Sequence, residues 1–425
     1  MRRFLPLTFL TAAMLVPQQA AAQVAAADSG DTGWMIFCAL LVLIAALPGM
    51  ALRHAGLVNV RNSLSVTVQG LAVAAAASLL WAVAGYSLAF APDGYGWLGG
   101  GGNLLLANLG ALRDGLTVPE SAFVLFQMSL AIFAACLLVG ALAERARFGW
   151  IVAFAPLWLL LVYAPVTHWV WGGGWLAELG VLDFAGGVVI HISAGFSALA
   201  LALLMGRRRE APEPGHAPLL TLAGGGLIWV GWFGIVGGWA LGASDDAASA
   251  ILNCHFAACA AALMRALLDR LLSGRVSATG LFSGALSGLV AISASAGLVG
   301  VGGAIVIGVI AAVVCRLGAA MLDGRIDDPA GVFVIHGLGG LTGMLLLPVF
   351  TLSLFGGVGF DPGMGFDHVL LSQGIGMAVV AFWSMLGTAI AALIVMVVIP
   401  MRVSEQDEAS GLDAVQHGQQ GWDFR

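Results

Sequence analysis

Apolar stretches long enough to cross a lipid bilayer follow one another along almost the whole of this chain. A spanning helix needs roughly 20 mainly apolar residues. On that rule eleven spans are read, at 33–53, 64–91, 120–143, 149–170, 183–205, 218–242, 246–273, 277–297, 299–322, 329–354 and 371–401. A soluble fold is excluded because there is too little charge to make its surface. Of the 425 residues, 60% are hydrophobic and 9% charged, against roughly 45–50% and about 25% in soluble proteins. The fold class is therefore an all-α integral membrane protein. With a net charge of −6 and no basic cluster larger than Arg207-Arg208-Arg209, no nucleic-acid partner is expected. The five cysteines (Cys38, Cys136, Cys254, Cys259, Cys315) lie in apolar runs without metal-ligand or disulfide spacing. They read as core residues, and no metal or cofactor is expected.

Residues 1–22 read as a signal peptide, with Arg2 and Arg3 before an apolar core and Ala20-Ala21-Ala22 as cleavage site. The mature chain then divides into a membrane domain, 23–403, and a polar, acidic cytoplasmic tail, 404–425. An outside start and eleven spans put the C-terminus inside. The arginines test this independently, because cytoplasmic loops are enriched in them. Arg53, Arg61, Arg145, Arg147, Arg207 to Arg209, Arg270, Arg275, Arg316, Arg325 and Arg402 fall on the predicted inside, and Arg113 in a predicted outside loop. Glycine-rich segments such as Gly284 to Gly288 and Gly337 to Gly340 read as helix contact faces, since close approach through small residues drives packing in lipid.

Two stretches repeat each other. Asp183-Phe184-Ala185-Gly186-Gly187-Val188-Val189-Ile190-His191 opens the fifth span, and Asp328-Pro329-Ala330-Gly331-Val332-Phe333-Val334-Ile335-His336 opens the tenth. A glycine follows four residues after each histidine, at Gly195 and Gly340. Five spans separate the copies, and an odd separation reverses orientation. This is the mark of an inverted five-plus-five repeat, whose interface holds the site in many transporters. Each histidine lies eight residues past its aspartate, about 12 Å along a helix, so both should approach the bilayer midplane from opposite faces. Intramembrane ionisable groups line substrate or proton paths, or else pair with each other across helices. A pore or site role is read for both. Asp328 reads as a helix N-cap; for Asp183, cap and functional role remain equally open. His255, in the seventh span, is open between a packed and a pore role. His54, His216 and His417 lie in or beside cytoplasmic segments, and His168 and His368 near the outer face.

These residues resemble the ammonium transporter family (Amt/Rh/methylammonium permease) over nearly the whole mature chain. The likeness is carried by Pro48-Gly49 with Ala55-Gly56-Leu57, Gly85 to Phe90, Phe126-Gln127, Gly140 to Arg145, Trp171-Gly172-Gly173-Gly174 and the Asp183 to His191 motif. Gly231-Trp232-Phe233-Gly234, Val299 to Ala304, Asp327 to Gly337, Gly411-Leu412-Asp413 and His417-Gly418 complete it. The resemblance implies a homotrimer of eleven-helix protomers in a bacterial cytoplasmic (inner) membrane, active in nitrogen uptake. It implies that ammonium is recruited at an outer vestibule and deprotonated, and that ammonia passes a histidine pair, here His191 and His336. The vestibule tryptophan corresponds to Trp171, the outer gate phenylalanine to Phe126, the aspartate needed for a working pore to Asp183, and Trp232 joins the candidate pore residues. The tail is expected to be regulatory, touching the inner mouth and a possible PII-type regulator.

The departures from the family pattern fall at the outer gate. A second phenylalanine is replaced by Leu130, its stacking partner by Ile235, a vestibule serine by Trp239 and an adjacent asparagine by Val236. The Thr-Pro of the eighth span appears as Ser293-Ala294. Alternatives to transport are a membrane ammonium sensor that conducts little, or a channel for another small gas or amine. Neither His-Glu-x-x-His nor Gly-x-Ser-x-Gly occurs, and no enzyme activity is expected.

Overall fold

The computed structural model describes residues 27–92, 96–209 and 215–422; the expected signal peptide, 1–22, lies outside them. Among the described residues the chain is helical, and its only strand-like pairing is one isolated bridge between Ala146 and Arg402. In order the membrane helices are α1 Ser29–Leu57, α2 Val60–Phe90, α3 Glu120–Leu142, α4 Phe148–Glu178, α5 Gly187–Met205 and α6 Pro218–Gly238. They continue as α7 Asp245–Ser273, α8 Ala278–Ser293, α9 Val301–Leu322, α10 Phe333–Thr351 and α11 Phe366–Met396. All but α8 are long and apolar enough to cross a bilayer.

Local sequence sets several ends. Asp28 caps α1 by accepting from Asp31 N at 2.9 Å, and Ser244 and Ser277 cap α7 and α8 in the same way. Helix α8 stops early because its last carbonyls are used elsewhere. The carbonyls of Ser293 and Ala294 accept from Ala185 N and Phe184 N, both at 2.9 Å, which satisfies groups that a helix end leaves open.

The packing is reciprocal. Helix α1 lies against α6. Helix α3 packs on α1 and α5 as α8 packs on α6 and α10, and the first turns of α5 and α10 each lie on the other helix. Contacts that repeat with five spans' offset are those of two halves related by a pseudo-two-fold axis. Small residues allow the approach that lipid alone would not drive. A Cβ on Gly288 would sit 2.5 Å from Ala257 O, so α8 packs directly on the backbone of α7. Large apolar side chains such as Leu263 and Phe382 stay 70% and 68% exposed, as suits a surface that meets acyl chains. Four of the five cysteines are buried, and Cys259 is partly so.

Loops between α3 and α4, α5 and α6, and α9 and α10 meet on one face. The guanidinium of Arg208 donates to Asp327 at 2.9 and 3.0 Å and pairs with Glu144, while the fully buried Arg145 donates to Asp327 O at 2.6 Å. Burial opposes the charge on Asp327, but the hydrogen bonds from Arg208 and the charge of Arg145 outweigh it and hold the carboxyl below its ordinary 3.8. The tail closes this face with α12 Glu405–Ser410 and α13 Leu412–His417. Glu408 takes Arg402 at 2.8 Å and Arg209 N at 2.8 Å. Asp413 accepts from Leu64 N and Ser65 N at 3.1 and 2.7 Å, so the tail supplies an anionic cap to α2.

Candidate functional site

Both copies of the repeat begin with a capped, glycine-turned helix start. The Asp183 carboxylate accepts four backbone N–H bonds, from Gly186 and Gly187 on one oxygen and Val188 and Val189 on the other, at 2.6–3.0 Å. Asp328 accepts two, from Val332 and Phe333, at 2.9 and 2.7 Å. The glycine three residues after each aspartate has positive φ, 105° at Gly186 and 68° at Gly331, which turns the first N–H groups back toward the carboxylate. Asp328 is thus the cap that was expected. Asp183, left open in the sequence, is a fuller cap of the same design.

Each cap leads into a π-helical stretch, Gly187–Ile192 and Phe333–Leu338, that carries the histidine. Such single-turn widenings recur at functional sites. The two helices cross backbone to backbone: a Cβ on Gly195 would lie 2.2 Å from Gly337 N, and one on Gly340 3.1 Å from Gly187 O. That approach brings the imidazoles together. His191 Nδ1 is 3.3 Å from His336 Nδ1, with ring centroids 5.2 Å apart. The Trp232 indole stacks over both, at 5.1 Å and 26° to His191 and 6.3 Å and 23° to His336.

Ser293 gives the pair a direction. Its hydroxyl donates to Leu289 O at 2.8 Å, accepts from Trp232 Nε1 at 2.9 Å, and lies 3.2 Å from His191 Nε2. A hydroxyl has one proton. With that proton on Leu289 O, His191 Nε2 must donate to Ser293, leaving His191 Nδ1 as acceptor for His336 Nδ1–H. The chain of bonds therefore runs from His336 through His191 to Ser293.

Above the pair, α3 and α6 run antiparallel. Phe133 meets Trp232 edge-on at 5.4 Å, and Phe126 meets Trp239 edge-on at 6.1 Å. This register sets Leu130 level with Ile235 between the two aromatic contacts. Phe126, Leu130, Ile235 and Val236 are fully buried. At the upper end Trp171 and Trp239 lie 4.0 Å apart between ring centroids. Trp171 Nε1 donates to Asp183 O at 2.8 Å, whereas Trp239 Nε1 is buried with no partner among the described residues. Successive ring contacts join Trp171, Trp239 and Phe126 at one end and Trp232, His191 and His336 at the other, with Leu130 and Ile235 level between the two groups, and Asp183 fixes the helix start beside them.

The remaining histidines lie elsewhere. His255 contacts the rings of Trp229, Phe233 and Phe256 on the outer surface of α7, away from the pair. His168 sits against Ala89 O at 3.0 Å. Ser293 and Phe133 contact the site but were not selected from the sequence as site residues; the departure of Ser293-Ala294 from the Thr-Pro pattern is the sequence signal that bore on Ser293.

Capped half-helices that cross at small residues, with ionisable side chains at the crossing, define a polytopic membrane protein of the inverted-repeat transport class. The model of the Ammonium Transporter Family matches residues 33–422, and the chain belongs to that family. It is 39% identical over 401 residues to a putative ammonium transporter of Methanothermobacter thermautotrophicus, covering 93% of this chain and 98% of the relative. It is 38% identical to an ammonium transporter of Bacillus subtilis, covering 92% and 98%. Among solved structures it resembles a sensor Amt protein with a TM-score of 0.85 at 29% identity, covering 91% of this chain and 98% of the other. Mep2 of Candida albicans gives 0.83 at 33% identity, covering 90% and 88%.

Proposed function

We propose that this protein conducts ammonia across the membrane after taking up ammonium at the Trp171 and Trp239 end, with no chemistry beyond proton transfer. The observation that carries the reading is the buried His191–His336 pair at the helix crossing. An ion of ammonium's size pays a large desolvation penalty between apolar walls, and neutral ammonia pays far less. Walls made by Phe126, Leu130 and Ile235 therefore favour deprotonation before entry. Below them each neutral imidazole carries one donor and one acceptor nitrogen, which suits both ammonia and a relayed proton. Indoles at the mouth can hold a cation through their ring faces.

The proposed orientation puts the indoles outside and the tail face in the cytoplasm, with eleven spans, of which α8 is the short one. The arginine distribution supports it. From family resemblance we propose a homotrimer, which native mass measurement in detergent tests; monomers alone would count against it. The tail is proposed to regulate flux, with a PII-type protein as candidate partner. Its contacts through Glu408 and Asp413 support this, and a deletion of 404–425 that leaves flux and subunit coupling unchanged would remove it.

A sensor that binds ammonium and conducts little is the second reading. The likeness to the sensor Amt protein and the aliphatic Leu130 and Ile235 favour it. Current and uptake recorded together in liposomes under an ammonium gradient separate the two. Flux supports transport, and specific binding without flux supports the sensor.

A further inference from the structure

On the Asp328 side of the histidines lies a cavity of about 290 Å³ lined by Arg53, Arg265, Cys315, Asp328, Ala330 and Phe333 among others. Arg53, on α1, is only 5% exposed. Its Nη2 donates to Ala330 O at 3.0 Å, and its Nε has no partner among the described residues. Among the described residues no carboxylate lies within ion-pair distance of it. Asp328 is near enough for the charges to be felt, but its oxygens are engaged by Val332 N and Phe333 N. The neighbouring His54 is buried against α3, where a Cβ on Gly140 would meet its Nε2. Arg53 and His54 are both within electrostatic reach of His336.

A guanidinium keeps its proton in any protein setting. One held inside a membrane protein without an ion-pair partner is costly and marks a path for charge or substrate. Its anchor, Ala330 O, belongs to the loop that leads into the His336 helix. Arg53 therefore borders, with Asp328 and Ala330, a cavity beside the loop that leads into the His336 helix.

We propose that Arg53 is a specificity-determining residue, a fixed positive charge at the Asp328 end of the histidine line that turns cations back while neutral ammonia passes. An ammonium ion or a proton carried as a cation meets a like charge in a low-dielectric passage, where repulsion is strong. Ammonia meets none. The proposal rests on the conduction reading above and adds what keeps that conduction to the neutral form.

The test compares two readouts in one liposome preparation: ammonium-evoked current, and lumenal pH change as the measure of ammonia entry. Arg53→Gln keeps a donor for Ala330 O and removes the charge; its ratio of current to ammonia entry should rise about tenfold or more. Arg53→Lys keeps the charge and should stay near wild type. Ala319→Glu, an exposed position lining the same cavity, adds a further carboxylate to that lining beside Asp323 and should also raise the ratio. It tests the charge independently if the glutamine variant does not assemble. An unchanged ratio in assembled Arg53→Gln, or in Ala319→Glu where the first is lost, overturns the proposal. So does an Arg53→Lys ratio as high as that of Arg53→Gln. A wild type that moves neither ammonia nor charge would instead fail the conduction reading itself.

Discussion

His191 Nδ1 accepts from His336 Nδ1–H across 145 residues of sequence, and Ser293 fixes that direction from the other ring nitrogen. Removing either ring breaks the chain of bonds without touching the glycine crossing that supports it. His191→Ala and His336→Ala should each assemble normally and change ammonium flux or its selectivity by about tenfold, the loss of a neutral hydrogen bond of about 0.5–1.5 kcal/mol. Flux and selectivity that match wild type in both variants would remove the histidine pair from the mechanism.

The two aspartates differ in how many N–H groups they satisfy, four at Asp183 and two at Asp328. An asparagine keeps one acceptor oxygen and turns an NH2 toward the remaining donors. Each N–H left unpaired costs about 1–3 kcal/mol. Asp183→Asn should therefore lower the unfolding temperature in detergent more than Asp328→Asn. If the second variant proves as harmful as the first, capping is not the main role of Asp183.

Trp239 sits against Trp171 with its Nε1 unpartnered among the described residues. A second indole adds cation–π attraction of up to about 2 kcal/mol, while the serine hydroxyl of the family pattern would supply a charge-assisted bond of about 1.5–3 kcal/mol. Recruitment of ammonium should be weaker than with serine but not abolished, and methylammonium should compete relatively well. In competitive uptake, Trp239→Ser should bind ammonium more tightly and exclude methylammonium more strongly. A serine variant with neither change refutes this account of the vestibule.

Much of this was legible in the sequence. The apolar runs marked the spans, the repeated Asp-to-His motif placed His191 and His336 at the midplane from opposite faces, and the family resemblance implied that they form a pair. Ser293, Phe133 and Arg53 were less legible, because their importance lies in which distant groups they reach. A serine at a helix end looks like an ordinary terminus until Trp232 and His191 arrive from two other helices. Arg53 reads as a loop-edge positive charge from hydropathy; its burial follows from α1 continuing as helix to Leu57 beside the Ala330 loop. The cap at Asp183 shows only in the N–H groups turned back by Gly186, a φ that no residue pattern states.

The tail face should respond to acid in a defined window. Asp327 titrates below its ordinary 3.8 in the folded protein, so its contribution is complete above the unfolded value and is lost as pH falls through the lower, folded one. Hydrogen exchange of residues 323–331 should stay slow down to about pH 4 and quicken below it. Arg208→Met removes the main hydrogen-bonding partner, so less stability is linked to the Asp327 charge and the acid-induced quickening should shrink. Identical profiles for the two proteins would show that Arg208 does not hold the Asp327 charge.

The crossing of Gly195 on Gly337 has a consequence for how the protein comes into being. The half of the crossing that carries His191 is synthesised more than a hundred residues before the half that carries His336. A ribosome-bound chain that has delivered only its first nine helices has one wall of the crossing and nothing to close it against. The crossing and the contact between the two imidazoles are completed by the same late event, the arrival of the tenth helix, so the two rings meet only when most of the membrane helices have been made.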